Sequence, residues 1–326
     1  MSRPADRHVH TGRPATRSRA VRVVRASGLG LAAVAATGLA TLLYGVFVER
    51  LRFRLRRVEA PVLPSGSVPI RILHLSDFHL APWQTIKQDF VRELATLEPD
   101  LIVDTGDNLG HSDVLPALRD MLEPFRGVPG VFVYGSNDYY GPVLKNPFTY
   151  FARTRKVKVR APKLDITGLE ALLTEEMGWH SLNNDATTIE VSGRPIHFVG
   201  VDDPHIKYDR PAEARAAFEN LHRAPGETVV ALAHAPYQRV LTELTELGAD
   251  AIFAGHTHGG QVCVPLYGAL VTNCDIPRRQ VSGASSWRSA TRRAFLHVSR
   301  GLGTSIYAPI RFACPPEATL VTLTPR

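Results

Sequence analysis

The chain has 326 residues, of which 44% are hydrophobic and 21% charged, a balance that is typical of a globular protein and excludes global disorder. Its basic character is confined to the N-terminus: residues 1–57 contain 12 arginines against Asp6 and Glu49 and so carry +10, which leaves −3 for the remainder of a chain with net charge +7. A slightly acidic body argues against nucleic acid as a partner, and three cysteines without CxxC spacing argue against a cysteine-ligated zinc site.

An uncharged segment of 23 residues separates Arg25 from Glu49. About 20 apolar residues suffice for a helix to cross a bilayer, so this segment predicts a transmembrane helix. A cleaved signal peptide is the alternative, but its apolar region usually spans about 7–15 residues, and we therefore prefer an uncleaved anchor. The predicted organisation is a basic, disordered tail (1–24), an anchor (25–49), a linker with a leading strand (50–67) and a folded domain (68–326).

The arginines around this single span indicate its orientation. Seven of them precede the span and five follow it, which slightly favours a cytoplasmic N-terminus. Leu51, Phe53 and Leu55 alternate with arginines, and a period of two predicts a strand with one wet face. Those arginines would then belong to the folded domain, so we expect this domain to lie outside the cytoplasm, at the cell membrane.

Short apolar runs alternate with longer mixed segments through the body of the chain, which predicts an α/β fold. The predicted strands are Ile70–Leu75, Leu101–Val103, Val131–Tyr134, Thr228–Ala233 and Ala251–Ala254. The predicted helices are Gln84–Leu97, Val114–Leu122 and Gln238–Leu247. The predicted hairpins pair Ala186–Val191 with Ile196–Val201 and Ala294–Ser299 with Ala318–Thr324. Residues 141–175 have mixed charge and weak periodicity, and predict a surface insertion.

Each of the five predicted strands is followed by a segment that contains metal-binding side chains. The segments are Ser76-Asp77-Phe78-His79, Gly106-Asp107-Asn108, Gly135-Ser136-Asn137-Asp138, Ala233-His234-Ala235-Pro236 and Gly255-His256-Thr257-His258-Gly259-Gly260. In open α/β sheets, sites form where strands end in loops, so we expect the five segments to meet in one crevice. A single histidine is more often a core or surface residue than a ligand, and it is the ordered set that is specific.

The residue types indicate a dinuclear metal centre. Carboxylate oxygens and imidazole nitrogens suit Mn²⁺, Fe and Zn²⁺, and about seven such side chains are enough for two ions. Two ions about 3.5–4 Å apart can activate a water and stabilise the charge of an in-line displacement. Outside the five segments, His205 in Asp202-Asp203-Pro204-His205 is a further histidine of interest, although a core or surface role is its default interpretation.

From Ile70 onward, the residues resemble the calcineurin-like metallophosphoesterase superfamily, whose pattern is Asp-x-His, Gly-Asp, Gly-Asn-His-Asp/Glu, His and Gly-His-x-His. The segments at 73–80, 200–205, 255–261 and 314–317 resemble its membrane-anchored or exported bacterial branch. The resemblance implies two mixed β-sheets sandwiched between helices. It also implies a set of metal ligands: Asp77, His79 and His258 for one ion, Asp107 as the bridge, and His234 and His256 for the other.

The third motif departs from the family pattern. Without a gap, Ser136 takes the place of the family's ligand asparagine and Asn137 that of its catalytic histidine. An amide oxygen is a better metal donor than a neutral hydroxyl, so we expect Asn137 to be the ligand after a small backbone shift, with Ser136 as the alternative. Asp138 is then the candidate for protonating the leaving group, although two nearby cations would lower its pKa, and an orienting or turn role is the alternative.

The resemblance implies hydrolysis of a phosphomonoester, a phosphodiester or a pyrophosphate with two divalent ions (Mn²⁺, Fe or Zn²⁺). The anchor places this reaction at the membrane, with a phosphate ester as substrate, including a lipid-linked one. The alternative is a metal-binding but catalytically weak or silent sensor or scaffold domain, which the altered third motif favours. The sequence leaves the oligomeric state open.

Overall fold

The computed structural model describes residues 15–143 and 161–326, and the chain forms two units, Met1–Tyr44 and Gly45–Arg326. Helix α1 (Ala15–Phe47) begins inside the segment 1–24 for which the sequence predicted disorder, and residues 1–14 of that segment lie outside the described residues. The stretch Gly30–Leu51 has the length and composition of a membrane span, with a mean hydropathy of 2.0.

Within the described ranges, the strands of the second unit form two six-stranded sheets and one short ribbon. The first sheet contains, in spatial order, β1 (Arg54–Leu63), β14 (Glu317–Pro325), β2 (Ile70–Leu75), β3 (Leu101–Asp104), β4 (Gly130–Phe132) and β5 (His180–Ser181). The second contains β12 (Gly283–Arg288), β13 (Arg293–Val298), β9 (Ala251–Ala254), β8 (Thr228–Ala233), β7 (Arg194–Val201) and β6 (Ala186–Val191). The ribbon pairs β10 (Cys263–Val264) with β11 (Gly268–Ala269).

Both large sheets are mixed. Strands β2 to β5 run parallel, while β14 is antiparallel to β2 and parallel to β1. Strands β7, β8, β9 and β13 run parallel, with β6 and β12 antiparallel at the two edges. The helices of this unit are α2 (Thr85–Glu93), α3 (Leu115–Leu122), α4 (Ser136–Tyr139), α5 (Ile166–Ala171), α6 (Pro211–Glu219) and α7 (Gln238–Leu247).

The apolar side chains of the unit form three layers of core. Strand β2 is mostly apolar because both of its faces are buried: Ile72 packs between the two sheets, whereas Leu73 packs under α2 and α3. Phe253 of the second sheet lies in the same layer as Ile72. Helices α6 and α7 cover the outer face of the second sheet. The predicted pair of mixed sheets between helices is confirmed.

The predicted closing hairpin is wrong. Strand β13 pairs with β9 and β12, whereas β14 pairs with β1 and β2 in the other sheet. The apolar pattern identified both strands, but periodicity says nothing about which strand lies beside which. The hairpin partner of β13 is β12, whose sequence Gly-Ala-Ser-Ser-Trp-Arg has no clear alternation.

The predicted surface insertion at 141–175 is also wrong in its C-terminal part; residues 144–160 lie outside the described residues. Helix α5 and the turn that follows it bury Leu169, Leu172 and Leu173 in the core. Asp165 caps the N-terminus of this helix, because its side chain accepts a hydrogen bond from the Gly168 N–H. Mixed charge on the exposed face hid this short apolar stripe in the sequence.

Candidate metal centre

The five predicted metal-binding segments follow β2, β3, β4, β8 and β9, and the structure brings their side chains together. The first three strands are parallel in one sheet and the last two are parallel in the other, so each sheet presents a group of carboxyl ends. The segments meet beyond those ends, as expected for an open α/β sheet.

One half of the cluster consists of Asp77, His79 and His258. The Nε2 atoms of His79 and His258 lie 3.1 Å apart, and His258 Nε2 lies 3.5 Å from Asp77 Oδ1. One ligand atom from each of the three side chains falls within 4.8 Å of the other two, with all three residues buried. This spacing can accommodate a metal ion.

Asp107 connects this half of the cluster to the other. Its Oδ2 atom lies 3.4 Å from His79 Nε2 and 3.4 Å from His234 Nε2. His256 follows, with its Nδ1 atom 3.3 Å from His234 Nε2. A carboxylate between two groups of imidazoles occupies the position that the resemblance implied for a bridging ligand.

The backbone is in the left-handed region at most of these positions. Positive φ angles occur at Asp77 (51°), His79 (39°), Asp107 (57°), His256 (66°) and His258 (49°). Few residues other than glycine adopt this conformation, and its cost is tolerated mainly at functional sites. The concentration of such positions among the candidate ligands is an observation that the sequence pattern could not supply.

In the third motif, both candidate ligands lie near Asp107. The Asn137 N–H donates to Asp107 Oδ1 at 2.7 Å, and the Asn137 Nδ2 donates to Asp107 Oδ2 at 2.8 Å. The Ser136 hydroxyl lies 3.4 Å from the same Nδ2 atom. The amide of Asn137 therefore faces the candidate bridging carboxylate with its Nδ2, whereas binding of a metal ion would use its Oδ1, so its ligand role stays a prediction.

Asp138 is fully buried beneath this motif and accepts four backbone hydrogen bonds. Its Oδ2 accepts from the N–H groups of Asp107 and Gly135, both at 2.8 Å. Its Oδ1 accepts from the N–H groups of Asn108 at 2.7 Å and Leu109 at 3.3 Å. Both oxygens are thus committed to holding the second and third segments together, which favours the orienting role.

Burial and neighbouring charges set the protonation of the cluster. Burial raises the pKa of Asp77 to about 6 and lowers that of His79 to about 4. Burial opposes the charges of Asp107 and His234 as well, but their mutual attraction holds the pKa of Asp107 well below its usual range and that of His234 well above. Asp107 and His234 therefore form a buried ion pair, and His234 would lose its proton on binding a metal ion.

Backbone carbonyls fix the orientation of two histidines. His234 Nδ1 donates to the Thr105 carbonyl at 2.7 Å, which leaves Nε2 to face Asp107. His256 Nε2 lies 3.4 Å from the Asn273 carbonyl, so its Nδ1 faces the cluster. Such outer contacts set the tautomer of a metal-binding histidine. The sequence reasoning missed Thr105 and Asn273, because a backbone carbonyl leaves no residue-type signal.

His205, the histidine of interest outside the five segments, lies at the rim of the cluster. Its ring centroid is 4.4 Å from that of His256, and its Nδ1 is 3.1 Å from the Tyr237 hydroxyl. His205 is exposed, whereas His256 is 8% exposed. It is therefore the histidine that meets solvent beside the candidate ligands.

The donor set fits divalent cations. Buried carboxylates and imidazoles converge here with their oxygen and nitrogen atoms 3.1–3.5 Å apart. Burying so many acceptor atoms together is unfavourable unless a positive charge lies between them. Nitrogen and oxygen donors of this kind suit Mn²⁺, Fe or Zn²⁺.

Comparison with known proteins agrees with this geometry. The family model for calcineurin-like phosphoesterases matches residues 70–260, more than half of the chain. The chain is 26% identical to the uncharacterised metallophosphoesterase YkuE of Bacillus subtilis, over 82% of this chain and 83% of YkuE. It is 27% identical to the phosphodiesterase YaeI of Escherichia coli, over 83% of this chain and 88% of YaeI.

A third relative is the UDP-2,3-diacylglucosamine pyrophosphatase LpxG of Chlamydia trachomatis, which is 27% identical over 77% of this chain and 83% of LpxG. The region matched by the family model contains all five segments that form the candidate metal centre. The resemblance found in the sequence is confirmed, and the chain belongs to the calcineurin-like phosphoesterases, a family of metal-dependent phosphoester hydrolases.

Proposed function

We propose that this protein is a membrane-anchored hydrolase of phosphate esters in which two divalent ions are bound by seven side chains. The proposed ligands are Asp77, His79, Asp107, Asn137, His234, His256 and His258. The observation that carries the proposal is the convergence of five strand ends on Asp107, whose carboxylate lies within 3.4 Å of both His79 and His234. Two bound ions would supply an acidified water and electrostatic stabilisation of the phosphoryl oxygens.

The protein's own residues would position these groups. The carbonyl of Thr105 holds His234 with its Nε2 towards the cluster, and the four N–H groups around Asp138 fix the loops that carry Asp107 and Asn137. Asn137 occupies the place of the family's catalytic histidine, and an amide does not titrate. We therefore propose that turnover is fastest for esters with good leaving groups.

The substrate class follows from location and from the relatives. YaeI is named a phosphodiesterase and LpxG a pyrophosphatase of a diacylated sugar nucleotide. Together with the apolar stretch Gly30–Leu51, these names support a phosphodiester or pyrophosphate substrate at a membrane, including a lipid-linked one. A phosphomonoester would bind the same ions and should be assayed alongside the other two substrate classes.

We also propose that the second unit lies outside the cytoplasm. Arg54 and Arg56 belong to strand β1, and Arg56 pairs with Glu317 at 3.1 Å. Together with Arg57 of the same strand, they are therefore part of the fold rather than a cytoplasmic retention signal, which leaves Arg50 and Arg52 after the span against seven arginines before it. Protease added to intact spheroplasts should then cleave the second unit, and full protection would contradict this orientation.

The enzyme proposal is tested with the full chain in detergent. The protein is stripped with chelator, and bis-p-nitrophenyl phosphate is assayed before and after Mn²⁺ is added back. We expect turnover only with metal, and a loss of about 100-fold or more in Asp107→Asn. The matched control is Asp120→Asn, at an exposed position on α3, which should behave as the native chain. Metal-independent turnover, or none in a folded and metal-loaded protein, would overturn the proposal.

A further inference from the structure

A hairpin beside the metal centre presents apolar side chains to solvent. The ribbon β10–β11 turns through Pro265, Leu266 and Tyr267, and Leu266 is 110% exposed and Tyr267 60% exposed. Val264 and Leu270, on either side of this turn, are also exposed. We call these four residues, Val264, Leu266, Tyr267 and Leu270, the apolar tip.

The tip has an unusual sequence for a hairpin that meets water. Tight hairpin turns favour glycine, asparagine or aspartate, which tolerate positive φ and hydrate well. Here Leu266 itself has a φ of 68°, so a bulky apolar residue adopts a conformation that costs free energy and buries none of its own surface. The fold of the second unit gains nothing visible from this residue, which points to a contact outside the unit.

The hairpin starts next to the end of the apolar span. Val262 forms a bridge with Phe312, and the Cys263 N–H donates to the Phe312 carbonyl at 2.8 Å. In the same loop, the Arg311 N–H donates to the carbonyl of Gly45, at 3.2 Å. Gly45 belongs both to the second unit and to the stretch Gly30–Leu51. One loop therefore connects the last turns of the candidate span to the root of the hairpin.

Exposed aromatic and apolar side chains of the kind found at membrane interfaces also occur elsewhere in this unit. Tyrosine and tryptophan are enriched where proteins meet lipid headgroups. Tyr307, in the loop that leads to Phe312, is 50% exposed, and Trp83, which precedes α2, is 61% exposed. Ile86 of α2 is 56% exposed and lines a shallow cleft with Leu51 at the end of the span.

A positively charged side chain, that of Arg278, lies beside the apolar tip. The Arg278 guanidinium lies 4.6 Å from the ring centroid of Tyr267. Arginine beside an interfacial aromatic can bind lipid phosphates, and such charges strengthen the attraction to an anionic surface. A cation paired with an exposed apolar tip fits a bilayer better than it fits the apolar surface of a protein partner.

The hairpin also packs directly on the metal-binding loop. A Cβ atom on Gly260, two residues after His258, would lie 2.3 Å from the Cβ of Ala269 in β11. Strand β11 can take this position because residue 260 has no side chain. The hairpin is therefore in close contact with the loop that carries His256 and His258.

From these contacts we infer that the apolar tip inserts into the interfacial layer of the lipid bilayer and holds the metal centre at the membrane surface. The inference rests on the proposed function and deepens it, because a centre held there meets phosphate groups at the level of the lipid headgroups. The substrate class is then an amphiphile whose phosphate ester lies at the bilayer surface and whose acyl chains stay in the membrane.

The test measures contact between the tip and lipid in the full chain. Leu266→Trp is reconstituted into phosphatidylcholine vesicles, with and without bromine on the acyl chains, and the emission of the native protein is subtracted. The matched control is Val68→Trp, because Val68 is 64% exposed in the turn between β1 and β2. The ten residues of β1 place that turn about 33 Å from the strand's start near the span.

We expect brominated lipid to reduce the added emission of Leu266→Trp roughly twofold and to leave that of Val68→Trp unchanged. Tyr267→Trp should be quenched as well, and it replaces Leu266→Trp if that variant does not fold. Equal quenching at the tip and at Val68 would overturn the inference, and so would an unquenched tip, as expected if it binds a protein. Quenching requires no turnover, so its outcome is independent of the chelator assay.

Discussion

The Nδ1 atoms of His74 and His297 lie 2.8 Å apart, in the buried layer between the two sheets. His74 Nε2 is 3.0 Å from the Thr105 hydroxyl, which itself donates to Ser76, and Ser76 donates to Asp77. Because the Thr105 proton is already used, His74 Nε2 must be the donor in its bond with Thr105. His74 Nδ1 therefore accepts from His297, and a chain of hydrogen bonds connects the two strands to a proposed metal ligand.

This histidine pair predicts that the fold loses stability in acid. Burial, with a smaller effect from Arg56, lowers the pKa of His297 to about 3, and burial with His297 lowers that of His74. Below the unfolded value of about 6.5, the unfolded chain binds protons that the folded chain excludes. Each histidine should therefore reduce the free energy of unfolding by about 1.4 kcal/mol per pH unit as the pH falls below 6.5, and contribute no pH dependence above it.

The measurement is urea unfolding of the full chain in detergent, with chelator present, from about pH 7.5 to about pH 5. His297→Gln should give a pH slope that is shallower by about 1.4 kcal/mol per unit. His222→Gln, at an exposed position after α6, is the control and should follow the native curve. Parallel curves for the native chain and His297→Gln would show that His297 is not held neutral.

Substitution of Asp138 distinguishes an orienting role from an acid role. Asp138→Asn replaces an acceptor oxygen with an amide that faces two of the four N–H groups, which should cost roughly 2–4 kcal/mol of stability. If Asp138 only orients the loops, turnover of the Asp138→Asn variant should fall by the same factor for aryl and alkyl phosphodiesters. Asp138 as the acid predicts a loss confined to the alkyl substrate, whose leaving group needs the proton, and rate ratios measured with both substrates decide between the two.

Gly135 should be required only because a larger side chain at this position would collide with the proposed metal ligands. Its φ of −110° suits any residue, but a Cβ atom there would lie 2.3 Å from Asp107 Oδ1 and 2.6 Å from His234 Cε1. We expect Gly135→Ala to displace these proposed ligands and to weaken metal binding about 10–100-fold, measured as bound metal after gel filtration. Gly38→Ala is the control, because nothing lies within 4 Å of its added methyl group. Full metal content in Gly135→Ala would place the ions elsewhere.

The sequence predicted the parts of the site that depend on local pattern. Strands such as Ile70–Leu75 and Thr228–Ala233 are mostly apolar because both of their faces are buried, and their ends locate Asp77 and His234. Five strand ends followed by ligand-type residues sufficed to expect one crevice. The backbone carbonyl of Thr105, in contrast, became part of the site only through tertiary packing.

The apolar tip shows a second limit of sequence reasoning. Val264, Leu266 and Tyr267 belong to the residue types that usually form a core, and the sequence does not reveal whether a neighbour covers them. Their exposure follows from the short ribbon in which they lie, whose two strands contain only two residues each. Likewise, α5 was hidden because three buried leucines are too few to establish a helical period.

Restoring the family's third motif tests whether the enzyme lacks a leaving-group acid. Asn137 hydrogen-bonds Asp107 where the family has a histidine, so we expect the native chain to hydrolyse p-nitrophenyl esters far faster than alkyl esters. Ser136→Asn with Asn137→His should raise alkyl-ester turnover by about 10²–10⁴-fold and change p-nitrophenyl turnover little, because p-nitrophenolate leaves without a proton. Asn137→Ala alone should lower both rates if its amide binds metal. An unchanged alkyl rate in the double variant would show that another group, such as His205 at the rim, already supplies the proton. A native chain that hydrolyses neither ester would instead support the alternative of a silent, metal-binding domain.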